Sequence, residues 1–264
     1  MSKSKCVLAR IDIVAFGLLS KSSSEANVVF DEVEAIFSEV NENVRRLNES
    51  SKKDLKIETP KLYGDTIDTY FRCGNYDGVL MIMLLDSVAK AQRTALDRGF
   101  FIKGAIVKDD LYIADAAFTG RAMVTASNLE RNCPYSSVTI SKDIIDLIDE
   151  TAKERFRNDQ DIADFKENVI VDGCFINYLE ASPYDFWKDI RPDLKSHRKS
   201  LVSTIARYED ITEHGSAESE KYMTICKKAL ENHNRVCKKH GAQEEVIEFR
   251  AECTGGVGKL TIDD

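Results

Sequence analysis

Near its N-terminus the chain places an acid where a buried strand is expected. Cys6 to Phe16 reads CVLARIDIVAF, rich in Val, Ile and Leu and interrupted by Asp12. Burying a charge without a partner is costly. Asp12 is therefore either hydrogen-bonded inside the sheet or lines a site at it. From about Ser23 the apolar period changes. Val28, Val29, Val33, Ile36, Phe37 and Val40 recur at spacings of three and four, which predicts a helix, with Ser22 and Glu25 as its capping pair. LKIETPKLYGDTIDTYF then predicts two strands, Leu55–Leu62 and Thr66–Phe71. A tight turn at Tyr63-Gly64-Asp65 joins them, and Pro60 marks an edge or a bend.

The remaining pattern predicts a helix over 75–98, capped by Asn75 or Asp77 and ending before Gly99. A buried strand follows over 100–107 (FFIKGAIV), then a loop or short β excursion in KDDLYIAD. A third helix is predicted over 118–132, a short strand over 137–140, a helix from Ser141, a charged helical or loop stretch over 153–166, and a strand over 169–179. After Pro183 the chain reads as charged helices near 188–209 and 216–240, a short strand over 245–249 and a mobile Gly-rich tail, ECTGGVGKLTIDD. Strands alternating with helices around one hairpin predict the α+β class: a ferredoxin-like βαββαβ core, its sheet flanked by helices. The division is a core over 1–182 and a helical extension over 183–264 packed on it.

Composition excludes several functions. The 264 residues carry 37 Lys and Arg against 45 Asp and Glu, a net charge of −8. With no long basic run, the chain is not expected to bind nucleic acid. No stretch approaches the length of apolar sequence that a membrane span needs. The start lacks the apolar core of a signal peptide, so a cytoplasmic protein is expected. The seven Cys are scattered with no CxxC spacing, and read as reduced thiols acting as small hydrophobes. The four His all lie in the last quarter, without metal-ligand spacing.

Asp12 and Asp65 are the residues that carry chemistry. If their strands are neighbours, both carboxylates converge at one end of the sheet. Two carboxylates with no base nearby suit a hard divalent ion, since Mg²⁺ takes one or two protein carboxylates plus water and substrate phosphates. An ordinary turn acid is the other reading of Asp65.

Four segments resemble the catalytic domain of the class III nucleotide cyclases over roughly residues 5–180. Asp12-Ile13-Val14-Ala15-Phe16 is similar to the family's D-I-x-x-F, and Tyr63-Gly64-Asp65 to the G-D hairpin with its second metal acid. Lys103-Gly104-Ala105-Ile106 is similar to the R-x-G-I strand, and Gly120 followed by Ala126-Ser127-Asn128-Leu129-Glu130 to the G-x-x-V-N-x-A-S-R-M-E helix. Lys221-Tyr222 and Asn232-His233-Asn234 resemble the K-Y…Y-H-N ending of the bacterial pyrimidine cyclases of Pycsar antiphage defence. The resemblance implies cyclisation of UTP or CTP to the 3′,5′-cyclic monophosphate and pyrophosphate. The cyclic product is then read by a separate cyclic-nucleotide-binding effector. Two Mg²⁺ or Mn²⁺ ions per site are implied, held by Asp12, Asp65 and the Ile13 carbonyl, in a head-to-tail homodimer with composite sites. Backbone N–H groups between Val14 and Leu18 would cradle the phosphates, with Gly17 allowing close approach.

The departures from the family shape the remaining expectations. Its ribose-holding Asn and transition-state Arg are replaced by Val124 and Asn128. Arg121 shares a helical face with Val124, Thr125 and Asn128. It is expected either to supply the charge, with Asn128 on the ribose, or to be a solvated surface residue. Lys61 keeps a base-selecting position, whereas Ala117 has no polar group to read a purine edge. A smaller base read by Lys61, Thr119 or Tyr63 is compatible with this. Lys103 replaces a family Arg and either meets phosphate or flanks the core. Phe16, Gly17 and Thr125 complete the expected substrate contacts. The remaining readings are a purine (ATP or GTP) cyclase and a cyclase fold without turnover that binds nucleotide or a partner.

Overall fold

The computed structural model describes residues 2–20, 26–51, 55–114, 117–133, 136–179, 193–212, 219–254 and 257–263. The expected cap at Ser22 and Glu25 and the division at 182/183 lie outside them. The chain begins with β1 (Ser2–Ile13), α1 (Phe16–Leu19) and α2 (Ala26–Ser50). A hairpin of β2 (Lys61–Tyr63) and β3 (Thr66–Arg72) leads into α3 (Asp77–Asp97) and β4 (Ile102–Ile113). These strands lie in the order β2-β3-β1-β4, every neighbouring pair antiparallel. With α2 and α3 as the two crossovers, this is the expected ferredoxin-like topology.

Strand alternation divides β1 between two cores. Val7, Ala9, Ile11 and Ile13 face the large core, to which α2 and α3 contribute. Cys6 and Leu8 face a smaller cluster under α4 (Arg121–Asn132). Arg10 and Asp12 continue that second row. Asp12 is thus the outermost member of a row that becomes polar toward the strand's end, not an isolated break in a doubly buried strand.

Beyond β4 the sheet continues through β6 (Val138–Ile140), β8 (Phe175–Ile176) and β7 (Ile170–Val171), while β5 (Phe118–Thr119) pairs with β4. Helices α5 (Lys142–Arg155) and α6 (Asp159–Val169) follow β6, and α5 packs on α3. Helices α7 (Leu194–Thr212) and α8 (Ser219–Lys239) pack on each other, and α7 also packs on α3. A 3-10 turn over Gln243–Glu245 and a separate hairpin, β9 (Glu248–Thr254) with β10 (Val257–Asp263), close the chain.

Several expectations are corrected. Residues 55–60 form no strand, although the Glu58 N–H donates to the Tyr70 carbonyl of β3 and the Glu58 carbonyl accepts from the Thr69 hydroxyl; the ladder itself is limited to Lys61–Tyr63. Helix α3 is capped by neither Asn75 nor Asp77. Tyr76 precedes it with no side-chain cap bond, and Asp77 instead accepts from the Gly74 N–H at 2.6 Å. KDDLYI belongs to β4 because its acids are paired across the ladder: Asp110 with Lys3 at 3.1 Å and Asp109 with Lys5 at 3.4 Å. The third helix starts at Arg121, as Phe118 and Thr119 pair with Ile113 and Tyr112. The strand expected over 169–179 is two short strands around a turn in which Asp172 and Gly173 take positive φ. The short strand expected over 245–249 begins only at Glu248, after the 3-10 turn. The Gly-rich tail supplies an ordered strand, with Leu260 buried in the large core.

Candidate functional site

Asp12 lies at the end of β1, opposite Thr66 in β3 and Lys103 in β4. The Thr66 hydroxyl donates to Asp12 Oδ1 at 2.8 Å. Gly64, at φ +66°, makes the turn that delivers Asp65. The Asp65 carbonyl accepts from the Ile13 N–H at 3.3 Å, which stitches the turn to the residue beside Asp12. The two acids therefore come to the same end of the sheet's strands. Burial, and then the charge of Asp65, push the Asp12 carboxyl up to about 6, against the Thr66 hydrogen bond. Burial also raises Asp65, and Glu130 adds to it, against a backbone N–H and the charge of Lys103.

Glu130, near the C-terminal end of α4, received no role from the sequence although its motif contained it. Its side chain is buried and pairs with Lys103 Nζ at 2.5 Å. Lys103 is thus committed to a carboxylate rather than open toward a phosphate. Beside it, a Cβ on Gly104 would run into the Arg10 carbonyl and the Ile11 backbone. Only glycine lets β4 approach β1 this closely beside Asp12.

The segment after Asp12 leaves the sheet sharply. Val14 N–H donates to the Phe101 carbonyl at 2.8 Å, and Ala15 takes φ +61°. The turn's unusual conformation is carried by Ala15 rather than Gly17, beside which a Cβ would meet nothing within 4 Å. The Phe16 ring packs edge-on to Phe30, with centroids 5.2 Å apart.

The expected base-reading residues gather around Phe118. Lys61 Nζ lies 5.1 Å from its ring centroid, and Tyr63 packs edge-on to it at 6.3 Å. Thr119 and Ala117 are exposed. One row inward sits a pair that the sequence reading missed. Asp68, fully buried, lies 3.5 Å from Arg10, and neither of its oxygens accepts a hydrogen bond. Burial pushes it up to about 6 against the pull of Arg10. Its only sequence signal was an acid two residues after Thr66 on the same strand face.

Arg121 and Thr125 are not brought to Asp12 within one chain. Arg121, with its side chain 76% exposed, pairs with Asp109 at 3.4 Å, and the Thr125 hydroxyl reaches the same carboxylate at 3.5 Å. Asp109 lies six residues along β4 from Lys103, about 20 Å at 3.3 Å per residue. Val124 and Asn128 are exposed on α4. Of the C-terminal motif, Lys221 is exposed and Asn232 half-buried, while Tyr222, His233 and Asn234 are turned toward the protein. Tyr222 is buried. Asn234 exchanges two 2.8 Å hydrogen bonds with the Ile247 backbone, and His233 bonds the Glu245 carbonyl at 2.8 Å. These residues hold α8 to the segment that follows it.

Among the described residues no three His, Cys, Asp or Glu side chains form a metal-holding cluster, so the site offers a carboxylate pair. Cys6, Cys73, Cys133, Cys174, Cys226 and Cys237 are in no disulfide. No described helix is long and apolar enough to cross a membrane.

No protein-family model and no curated protein matches the chain. Among solved structures it is similar to the adenylyl cyclase CyaB from P. aeruginosa: 16% identity over 56% of this chain and 82% of that one, TM-score 0.46. It is also similar to a bacterial light-regulated adenylyl cyclase (17% identity, 55% of this chain and 79% of that one, TM-score 0.38). A third likeness is to the guanylyl cyclase Cya2 (10% identity, 55% and 79%, TM-score 0.38).

Proposed function

We propose that the protein is a divalent-metal-dependent nucleotide cyclase. The observation that carries this reading is the convergence of Asp12 and Asp65 at one end of the sheet, next to a turn whose backbone leaves the sheet. Among the described residues neither acid is in an ion pair, and the nearest lysine is held by Glu130. A half-buried carboxylate pair in this condition fits Mg²⁺ or Mn²⁺, held by Asp12, Asp65 and the Ile13 carbonyl. When bound, two such ions would supply charge neutralisation at the triphosphate and acidify the ribose 3′-hydroxyl.

The chain's own groups do the rest. Thr66 orients Asp12 by its hydrogen bond. Lys103 and Glu130 set the local charge beside the pair. The N–H groups after Val14 receive phosphate oxygens. The 3′-oxygen forms its bond to the α-phosphorus as pyrophosphate leaves, a transfer in which positioning and charge supply most of the catalysis. Arg121 lies too far from Asp12 of its own chain to serve that site. This supports a homodimer with composite sites, each taking the acids from one chain and α4 from the other.

The finer reading is a pyrimidine cyclase, acting on UTP or CTP in the cytoplasm as a source of an antiphage messenger for a cyclic-nucleotide-binding effector. Ala117, which offers no hydrogen bond to a purine edge, supports it. The C-terminal motif lends less support, since its residues are used in packing. A second reading, nucleotide or partner binding without turnover, is favoured by Val124 and Asn128 at the positions of the family's Asn and Arg. Incubating the full chain with each of ATP, GTP, CTP and UTP and MnCl₂, with product identified by mass, separates these. Cyclic CMP or UMP with pyrophosphate is expected. Product from ATP alone overturns the pyrimidine assignment. No product from an intact dimer overturns the cyclase.

A further inference from the structure

We propose that Tyr208, on α7, is a positioning residue that orients the peptide unit between Val14 and Ala15, so that the Ala15 N–H is presented to a phosphate group of the substrate. This rests on the reading of the Asp12/Asp65 end of the sheet as a triphosphate site. It adds to that site a residue from the C-terminal helices, 194 positions away in sequence.

The Tyr208 side chain is 1% exposed. Its hydroxyl donates to the Val14 carbonyl at 2.7 Å and accepts from the Phe101 N–H at 3.2 Å. An N–H only donates and a carbonyl only accepts, so the direction of both bonds is fixed. The ring is held as well, tilted against Phe101 with centroids 5.0 Å apart and edge-on to Tyr222 at 6.1 Å. Val14 is consequently anchored at both ends, its N–H on the Phe101 carbonyl at 2.8 Å and its own carbonyl on Tyr208.

In a planar trans peptide the carbonyl and the following N–H point in opposite directions. With the Val14 carbonyl turned into the core, the Ala15 N–H is turned out of it. In the same turn Ala15 holds φ +61°, a region that a residue with a Cβ disfavours. The chain there is held in a conformation its own sequence does not prefer: the Val14 N–H is bonded to the Phe101 carbonyl, the Ala15 carbonyl accepts from the Leu19 N–H at 3.0 Å, and the peptide unit between them is held by the hydroxyl of Tyr208 on the Val14 carbonyl. Releasing that hydroxyl frees the peptide to rotate and the N–H to leave its alignment.

The competing account is that Tyr208 only docks α7 on the core. The test uses the full chain, MnCl₂ and inorganic tripolyphosphate, a probe with no base or ribose, in titration calorimetry alongside thermal melting. Tyr208→Phe removes one oxygen and keeps the ring. Thr204→Val removes another buried α7 hydroxyl, which lies 2.8 Å from the Ser200 carbonyl of its own helix and 3.1 Å from the Leu96 carbonyl, neither of them part of the Val14–Ala15 peptide. We expect Tyr208→Phe to bind tripolyphosphate about tenfold more weakly, the scale of one lost hydrogen bond. Thr204→Val should bind as the wild type does while melting lower. Adding Ala15→Gly to Tyr208→Phe should restore several-fold of the lost affinity, because glycine takes positive φ freely. This double variant also serves if the single one folds poorly. Wild-type affinity in Tyr208→Phe, an equal loss in Thr204→Val, or no restoration by Ala15→Gly overturns the proposal and leaves the triphosphate site standing. Failure of the wild type to bind, or binding unchanged in Asp12→Asn, overturns the site itself.

Discussion

Replacing Asp12 by Asn should make the metal-free protein more stable while abolishing its response to metal. The Asp12 carboxyl is pushed from the ordinary 3.8 to about 6, first by burial and then by the charge of Asp65. At 1.36 kcal/mol per pH unit, holding it ionised costs the fold about 3 kcal/mol. The side chain is partly exposed, and solvent screening reduces this to about 1–2 kcal/mol. The sign follows from linkage. A folded-state value above the unfolded one favours the fold below about pH 4, and that advantage is lost as pH rises through about 6. Asn keeps an oxygen to accept the Thr66 hydroxyl and carries no charge. At pH 7.5 without metal, Asp12→Asn should melt about 2–6 °C above the wild type, and the gap should close toward pH 4. Adding MnCl₂ should raise the wild type and leave the variant unmoved. Melting curves at four pH values with and without MnCl₂ measure both effects. A variant less stable at pH 7.5 without metal, or equal stabilisation of both proteins by Mn²⁺, refutes the argument that Asp12 is a strained ligand awaiting a cation.

Two further outcomes are expected. If sites are composite, Asp12→Ala and Arg121→Ala homodimers should each be inactive, and mixing them equally should restore about a quarter of wild-type cyclase activity, through heterodimers with one intact site. Full activity of Arg121→Ala alone removes that residue from the reaction. In the C-terminal helices, the hydroxyl of Tyr178 meets His197 Nε2 at 3.1 Å, and His197 Nδ1 meets His233 Nδ1 at 2.9 Å. The His233–carbonyl bond requires a proton on Nε2; burial disfavours the charged form of both rings, and with both neutral His197 Nδ1 donates to His233 Nδ1 and the Tyr178 hydroxyl donates to His197 Nε2. Burial, then the charges of His233 and Arg93, hold His197 down to about 3. A depressed value means stability present above pH 6.5 and lost as pH falls. Between pH 7.5 and 5 the wild type should lose about 2 kcal/mol relative to His197→Gln in denaturant titrations; parallel losses contradict this.

The parts of the fold legible in the sequence are those whose burial is written locally. Strand β1, the Gly64 turn and α3 each carry a period or a turn residue that one segment reveals, and they suffice for the ferredoxin-like order. What escaped is set by residues distant in sequence. The acids of β4 looked like a loop because Lys3 and Lys5, which neutralise them, lie in β1. The tail looked mobile because α8, which packs against β10, has no local signature for it. The site divides in the same way. Asp12 and Asp65 were legible because an acid in an apolar strand and an acid after a turn glycine are each anomalous alone. The partner of Lys103 was not legible because Glu130 is a helix away. Tyr208 is silent in sequence, one aromatic among the apolar residues of a helix, and only the closed fold puts its hydroxyl on Val14. Burial raises both acids, so each favours a neutralising cation nearby. Sequence reading finds the acids that stand out alone, and it misses what only the closed fold assembles around them: Glu130 on Lys103, Tyr208 on Val14 and the buried Asp68–Arg10 pair.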